Sequence, residues 1–394
     1  MDGAVTTLPR AIKKPGKRAG TGATDALSRC PLENLHRSRD VAGGGCVIKK
    51  NGLHGLTAMQ AILVLAVMLL ASGCVKQVPE GDSWISLSLT YQDKNAGTYW
   101  PSSASVSESG TILIAFTGYT GEVFIGRFQT DDILASFALG LRVIKGKLQP
   151  MKPPDVGPGE TVHHLYPTVT CSGRRSFFVL NQSWAAEIFD PWEIRWLQID
   201  LKEVPEVEYL HSLVPDNETS AFYAVGRTSD SPVLLTGHLA DDSKVRFELM
   251  AGGFLKASRR ANGKVTTCGD QVLVLISETI ATGSSIPKEM YKPGPVSLFV
   301  FNKIGELEDT IAIDYSGTTL GDVLCNSLQQ IGQRLFVKVG SRIWLYDGST
   351  MAKVLEDDRL QGLPICITKK GILVVEQSSS AYWGDIDALF RLDK

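Results

Sequence analysis

The stretch GQRLFVKVGSRIWLYDGS, Gly332–Ser349, decides the fold. Leu335–Val339 and Ile343–Tyr346 are short runs of β-branched, aromatic and aliphatic residues on either side of Gly340-Ser341. That pattern is two antiparallel strands across a tight turn, because glycine supplies a positive φ at no steric cost and Val, Ile, Phe and Trp suit a pleated, half-buried surface. An isolated two-stranded hairpin is marginal in water, so it needs further strands to cover it.

The chain supplies them on both sides. Strand-like runs cover Trp84–Leu89, Thr111–Phe116, Val123–Phe128, Ser176–Leu180, Ile194–Ile199, Ala221–Val225, Val233–Leu239, Val272–Ile276, Val296–Phe301 and Ile372–Val375. No long segment keeps a 3.6-residue period; the nearest, Asp131–Leu141, reads as a short helix or an apolar loop. A loose unit recurs: a Ser/Thr/Cys-bearing strand, a polar turn, a strongly apolar strand, then a strand ending in a polar or acidic turn. Instances begin near Pro101, Pro167, Pro215, Ala261, Leu320 and Gly362. The expected fold is therefore all-β, an irregular six- or seven-bladed β-propeller over residues 82–394, with a β-sandwich pair or a β-solenoid as the alternative. A seventh unit arises if Trp84–Tyr91 joins the C-terminal region.

Ahead of this body, AMQAILVLAVMLLASGC at Ala58–Cys74 is apolar, follows Lys49 and Lys50, and ends in small residues before a cysteine. At 1.5 Å per residue, the uncharged run Ala61–Ala71 is too short for a hydrocarbon core about 30 Å thick, so it reads as a cleaved signal. Leu70–Cys74 resembles the lipobox of bacterial lipoprotein precursors, with Ala71 in the place usually held by leucine. The resemblance implies cleavage between Gly73 and Cys74, acylation of Cys74 (the palmitate type of anchor), and a body held at the cell envelope, at the outer membrane. Residues 82–393 resemble diverged propeller lipoproteins in general. The domain division that follows is a basic disordered leader over 1–46, read as an overextended start, a signal peptide over 47–73, a tether over 74–81, and the β body over 82–394.

Without residues 1–73 the chain carries 30 Lys and Arg against 38 Asp and Glu, which argues against a nucleic-acid-binding body. Cys171, Cys268, Cys325 and Cys366 each come shortly before a polar segment leading into an apolar strand, so they read as small buried residues at one repeated position, with disulfides as the alternative. His163 and His164 point to opposite faces if they lie on a strand, and no CxxC or clustered-His spacing accompanies them, so no metal or other cofactor is expected. The acidic pairs Asp131-Asp132, Asp241-Asp242 and Asp357-Asp358 recur in comparable settings and read as turns rather than as a glycosidase pair. The recognition candidate is WAAEIFDPWEIRW, with Trp184, Phe189, Trp192 and Trp196, joined by the smaller patch Tyr382 and Trp383. No GxSxG elbow, P-loop, HExxH or dinucleotide fingerprint is present, so no catalytic residue is assigned. These features read as a noncatalytic, lipid-anchored scaffold binding an envelope protein partner; a glycan-binding module or a glycan lyase or hydrolase is the alternative.

Overall fold

The computed structural model describes residues 84–386, apart from 92–97, 120, 155–166, 182, 190–192, 230, 256–260, 282–290, 316–319 and 333. The leader, signal, tether, Gly73 and Cys74 therefore lie outside the described residues, as do His163, His164 and Trp192. Among the described residues no helix is long and apolar enough to cross a membrane.

β1 (Trp84–Tyr91) opens the chain of strands. A first antiparallel unit follows, with β2 (Trp100–Val106), β3 (Thr111–Thr117), β4 (Val123–Gln129) and β5 (Val143–Pro150). The second has β6 (Thr168–Ser172), β7 (Arg175–Val179), β8 (Trp184–Phe189) and β9 (Glu193–Asp200). The third has β10 (Tyr209–Pro215), β11 (Phe222–Arg227), β12 (Pro232–Asp241) and β13 (Lys244–Gly252). The fourth has β14 (Ala261–Cys268), β15 (Gln271–Ala281), β16 (Tyr291–Asn302) and β17 (Leu307–Ile313). The fifth has β18 (Ser327–Ile331), β19 (Arg334–Val339), β20 (Arg342–Tyr346) and β21 (Met351–Glu356). The sixth has β22 (Ile365–Ile367), β23 (Gly371–Gln377) and β24 (Ser380–Asp385), and β1 completes it by pairing antiparallel with β24.

The six- or seven-bladed propeller expected from sequence is corrected by the hydrogen bonding. β1 pairs parallel with β5, and β9 pairs parallel with β13. These edge pairs fuse four of the units into two eight-stranded sheets, leaving two separate four-stranded sheets. Each large sheet folds back until its end strands touch, β2 against β22 in one and β6 against β10 in the other. Its halves then face each other across a core, an arrangement closer to a nearly closed barrel or a sandwich pair than to separate radial blades. The physical reason is edge satisfaction: an outer strand left alone presents unpaired N–H and C=O groups, and a neighbouring outer edge pairs them. Trp84–Tyr91 joins the last unit instead of forming a seventh.

In one core, Phe177 on β7 and Phe222 on β11 meet edge to face at 5.6 Å, both fully buried. The other large sheet closes over Ile112, Ile114, Phe116, Leu373, Val375 and Trp383. Each such side chain contributes about 1.5–3 kcal/mol by leaving water. Trp383 leaves no room opposite Gly371: a Cβ there would lie 2.4 Å from the indole and 2.5 Å from the Gly384 carbonyl. Gly371→Ala should therefore destabilise by roughly 1–3 kcal/mol in urea unfolding, because backbone as well as a side chain must shift.

Asp131–Leu141 resolves as a helix, α1 (Thr130–Ala138), with Asp131 and Asp132 in its first turn, where carboxylates favour the dipole. It ends at Gly140, φ 69°, where the Gly140 N–H donates to Phe137 O and the Leu141 N–H to Ser136 O. A second, short helix, α2 (Leu320–Leu324), precedes β18. Asp241 caps the β12–β13 turn, accepting from the Ser243 N–H and hydroxyl at 2.8 and 2.9 Å. Asp357 caps a single 3₁₀ turn and accepts from the Trp84 indole at 2.8 Å. Asp241 and Asp357 thus serve turns, in agreement with their sequence setting, whereas Asp131 and Asp132 open a helix instead.

The first strands of successive units carry polar side chains in place of a backbone ladder between them. Ser103 donates to Val169 O at 3.2 Å and accepts from the Val169 N–H, while the Cys171 N–H donates to Ser105 at 3.0 Å. Thr170 donates to Leu213 O, and the Val265 N–H donates to Ser212. Gln329 donates to Ile365 O at 2.6 Å and accepts from the Ile367 N–H at 2.8 Å. Buried hydroxyls and amides here meet the hydrogen-bonding need of strand edges that pair with nothing else on that side.

Candidate functional site

A groove lies at one end of the first two units, built from turns the sequence makes tight. Gly110, φ 79°, ends the β2–β3 turn, and Gly173, φ 57°, makes the β6–β7 turn. The Glu108 N–H donates to Gly173 O at 2.9 Å, tying one turn to the other. Ser107, Ser109 and Thr111 on one side face Arg174 and Ser176 on the other, with Arg127 on β4 and Phe189 at the end of β8 completing the walls.

The hydroxyls form a chain: Ser107 to Ser109 at 2.8 Å, Ser109 to Thr111 at 3.2 Å, and Gln129 Nε2 donating to Thr111 at 3.0 Å. Such a chain fixes the rotors, so the groove presents donors and acceptors already oriented. Phe189 is 38 % exposed, and the Arg195 guanidinium lies 5.5 Å from its ring centre. Arg195 is held in turn by Glu187, which is buried and also accepts from Arg175 Nε at 3.0 Å. Arg175 stacks over Phe177 and Phe222, at 5.0 and 5.4 Å. One buried carboxylate thus organises both the core-side arginine and the one beneath the exposed ring.

The aromatic candidates divide. Trp184 and Trp196 pack edge to face at 6.3 Å, half-buried on the core between the first two units. Phe189 alone, among the described members of its cluster, is counted with the exposed large apolar side chains. Trp383 is buried under the first large sheet, and Tyr382 packs into a different core, its phenol raised above the ordinary tyrosine range by burial and by nearby Glu376. The Trp184–Trp196 segment and the Tyr382–Trp383 patch belong to different sheets. All four downstream cysteines are free thiols; three lie on the first strand of a unit and Cys325 lies just before β18. Among the described residues no group of three or more His, Cys, Asp or Glu is placed to hold a metal.

Sequence reading missed the arginines and hydroxyls of the groove, which come from three separate segments between Ser107 and Ser176 and share no motif. It also missed two buried lysines, Lys264 on β14 and Lys338 on β19. Lys338 donates to Leu363 O at 2.9 Å and Cys325 O at 3.3 Å, whereas among the described residues Lys264 reaches only the Thr168 hydroxyl, at 3.4 Å. Burial pushes both amines down to about 8. The signal was legible only for Lys338, a lysine inside the apolar run RLFVKV; Lys264 lies in the largely polar run ANGKVTTC.

No family model and no curated protein sequence matches the chain. Among solved structures it is similar to an α-L-arabinofuranosidase from Fusarium graminearum, at 11 % identity and a TM-score of 0.48, over 77 % of this chain and 98 % of that one. It is also similar to a gluconolactonase from Xanthomonas campestris, at 8 % identity and a TM-score of 0.42 over 73 % of this chain and 86 % of that one. A 6-phosphogluconolactonase from Bacteroides uniformis, at 14 % identity, gives a TM-score of 0.40 over 73 % and 88 %. At these scores the likenesses carry no argument about what this chain does. None of the matches supports the lipobox reading of Leu70–Cys74, so the lipoprotein, signal-peptide, palmitate and outer-membrane expectations are not carried into the functional reading.

Proposed function

We propose that this protein is a noncatalytic glycan-binding module that takes an acidic sugar in the groove between its first two units. The observation that carries the reading is the meeting of an exposed ring, Phe189, with a fixed hydroxyl chain and two guanidinium side chains, Arg127 and Arg174. A sugar offers C–H faces for the ring and hydroxyls for Ser107, Ser109 and Ser176; a uronate carboxylate matches the arginine forks. This replaces the protein-partner scaffold as the leading reading, because Trp184 and Trp196 spend their surface on packing each other and the core.

Calorimetric titration of the full chain with acidic oligosaccharides tests it. Arg174→Ala and Phe189→Ala should each weaken binding about tenfold or more, since a charge-assisted hydrogen bond or a stacked ring is worth about 1–3 kcal/mol. Tyr382→Ala, on β24 of the sixth unit and packed into a different core, should leave affinity unchanged. A titration without heat, or one indifferent to Arg174 and Phe189, overturns the assignment.

A further inference from the structure

We propose that Lys264 forms the floor of a second site, one that binds the carboxylate or phosphate group of a small ligand where the Lys264 side chain, on the first strand of the fourth unit, reaches Thr168 on the first strand of the second. Lys264 is only 8 % exposed, and its amine has three donors. Among the described residues it spends one of them, on a long bond to the Thr168 hydroxyl, and forms no ion pair. Lys338 is different: two backbone carbonyls occupy its amine.

The position does not call for a cation. At comparable places β10 and β18 carry Ser212 and Gln329, which meet the backbone of the next strand. A buried ammonium without an anion costs several kcal/mol, so a lysine held here with donors to spare is poorly explained by folding alone. Thr266 shares the Lys264 face of β14 by the two-residue alternation, as does Asn262, whose amide already donates to Val323 O and Leu324 O. Thr170, on the Thr168 face of β6, is spent on Leu213 O, so the oxyanion is held chiefly by the lysine amine. Both lysines act electrostatically on the Cys325 thiol, which places a second positive charge in the same neighbourhood.

Thermal unfolding of the full chain at pH 7, in phosphate against chloride at matched ionic strength, tests the site. Phosphate at a hundredfold excess over its Kd should raise the Tm by roughly 2–5 °C, and the rise should vanish in Lys264→Met and Lys264→Gln. Lys145→Met, on the exposed side of β5, should keep it. An arm with acetate separates the two groups: a response to acetate alone assigns a carboxylate. Should the Lys264 variants fail to fold, mass spectrometry of amine labelling on the unaltered chain replaces them, with phosphate expected to protect Lys264 at least severalfold. Equal Tm values in phosphate and chloride, a rise that survives in the Lys264 variants, or labelling unaffected by phosphate overturns the proposal.

Discussion

Glu187→Ala should lower the stability of the folded chain by about 2–4 kcal/mol, read as a drop in the urea midpoint with an unchanged slope. The carboxylate is buried on β8 and bridges Arg175 and Arg195. Removing it leaves two guanidiniums facing each other without an acceptor. Their side chains are 33 % and 35 % exposed, so water compensates part of the loss, which keeps the effect below that of a fully enclosed charge. Glu187→Gln should recover less than half of the loss, because an amide keeps one acceptor but supplies no charge. The same change should weaken ligand binding in the groove, since Arg195 then no longer holds its place beneath Phe189. Full stability in Glu187→Ala would show that the two arginines do not depend on the bridge.

Lys264→Met should act in the opposite direction, stabilising the protein by roughly 1–4 kcal/mol at pH 7 in anion-free buffer. Methionine fills a similar volume and carries no charge to desolvate. The pH dependence follows from the native amine, held at about 8, against 10.5 for an ordinary lysine. Below pH 8 the amine is charged in both folded and unfolded chains, so the burial penalty is present in full. Between pH 8 and 10.5 the native amine sheds its proton while the unfolded one keeps it, the penalty falls, and the wild type gains on the variant. The methionine advantage should therefore be largest at neutral pH and shrink towards pH 10.5, a change of about 3 kcal/mol. Taking the difference between the two proteins cancels the opposing contribution of the Cys171, Cys268 and Cys366 thiols, which burial raises above their ordinary value; Cys325, on which Lys264 itself acts, is replaced by alanine in both proteins. A difference that stays flat across this range would mean that water solvates the amine.

Local pattern carried much of the fold. The Gly332–Ser349 hairpin forms β19 and β20 in the expected register, with Val339 opposite Arg342 across the turn. Expected unit starts near Pro101, Pro167, Ala261 and Gly362 fall within a few residues of β2, β6, β14 and β22. The start near Pro215 is later than β10, which already begins at Tyr209; its opening residues Tyr209, Leu210 and His211 lack the turn signal that marked the others. Cysteine placement was legible only in part: Cys171, Cys268 and Cys366 lie on first strands, but Cys325 precedes β18, and Cys171 and Cys268 are half-buried rather than buried.

The candidate sites were much less legible. Trp383 and Phe189 look alike in composition, yet one is sealed under a sheet and the other lies at a groove. Burial depends on which strand comes to lie opposite, and aromatic residues serve cores and interfaces equally well. Ser107, Arg127, Arg174 and Phe189 have ordinary neighbours in sequence and acquire a shared surface only through the tie between two turns.

By itself the sequence determined an all-β body, its strands, its tight turns and its repeated units, because alternation and turn chemistry act over a few residues and are written locally. Only the tertiary structure decided that β1 pairs with both β24 and β5, that β9 pairs with β13, and hence that four units fuse into two large sheets. Edge pairing is backbone to backbone and leaves no side-chain signature. The groove and the buried amine of Lys264 were likewise decided by packing, since a charge becomes costly, and therefore informative, only once the surrounding strands have excluded water.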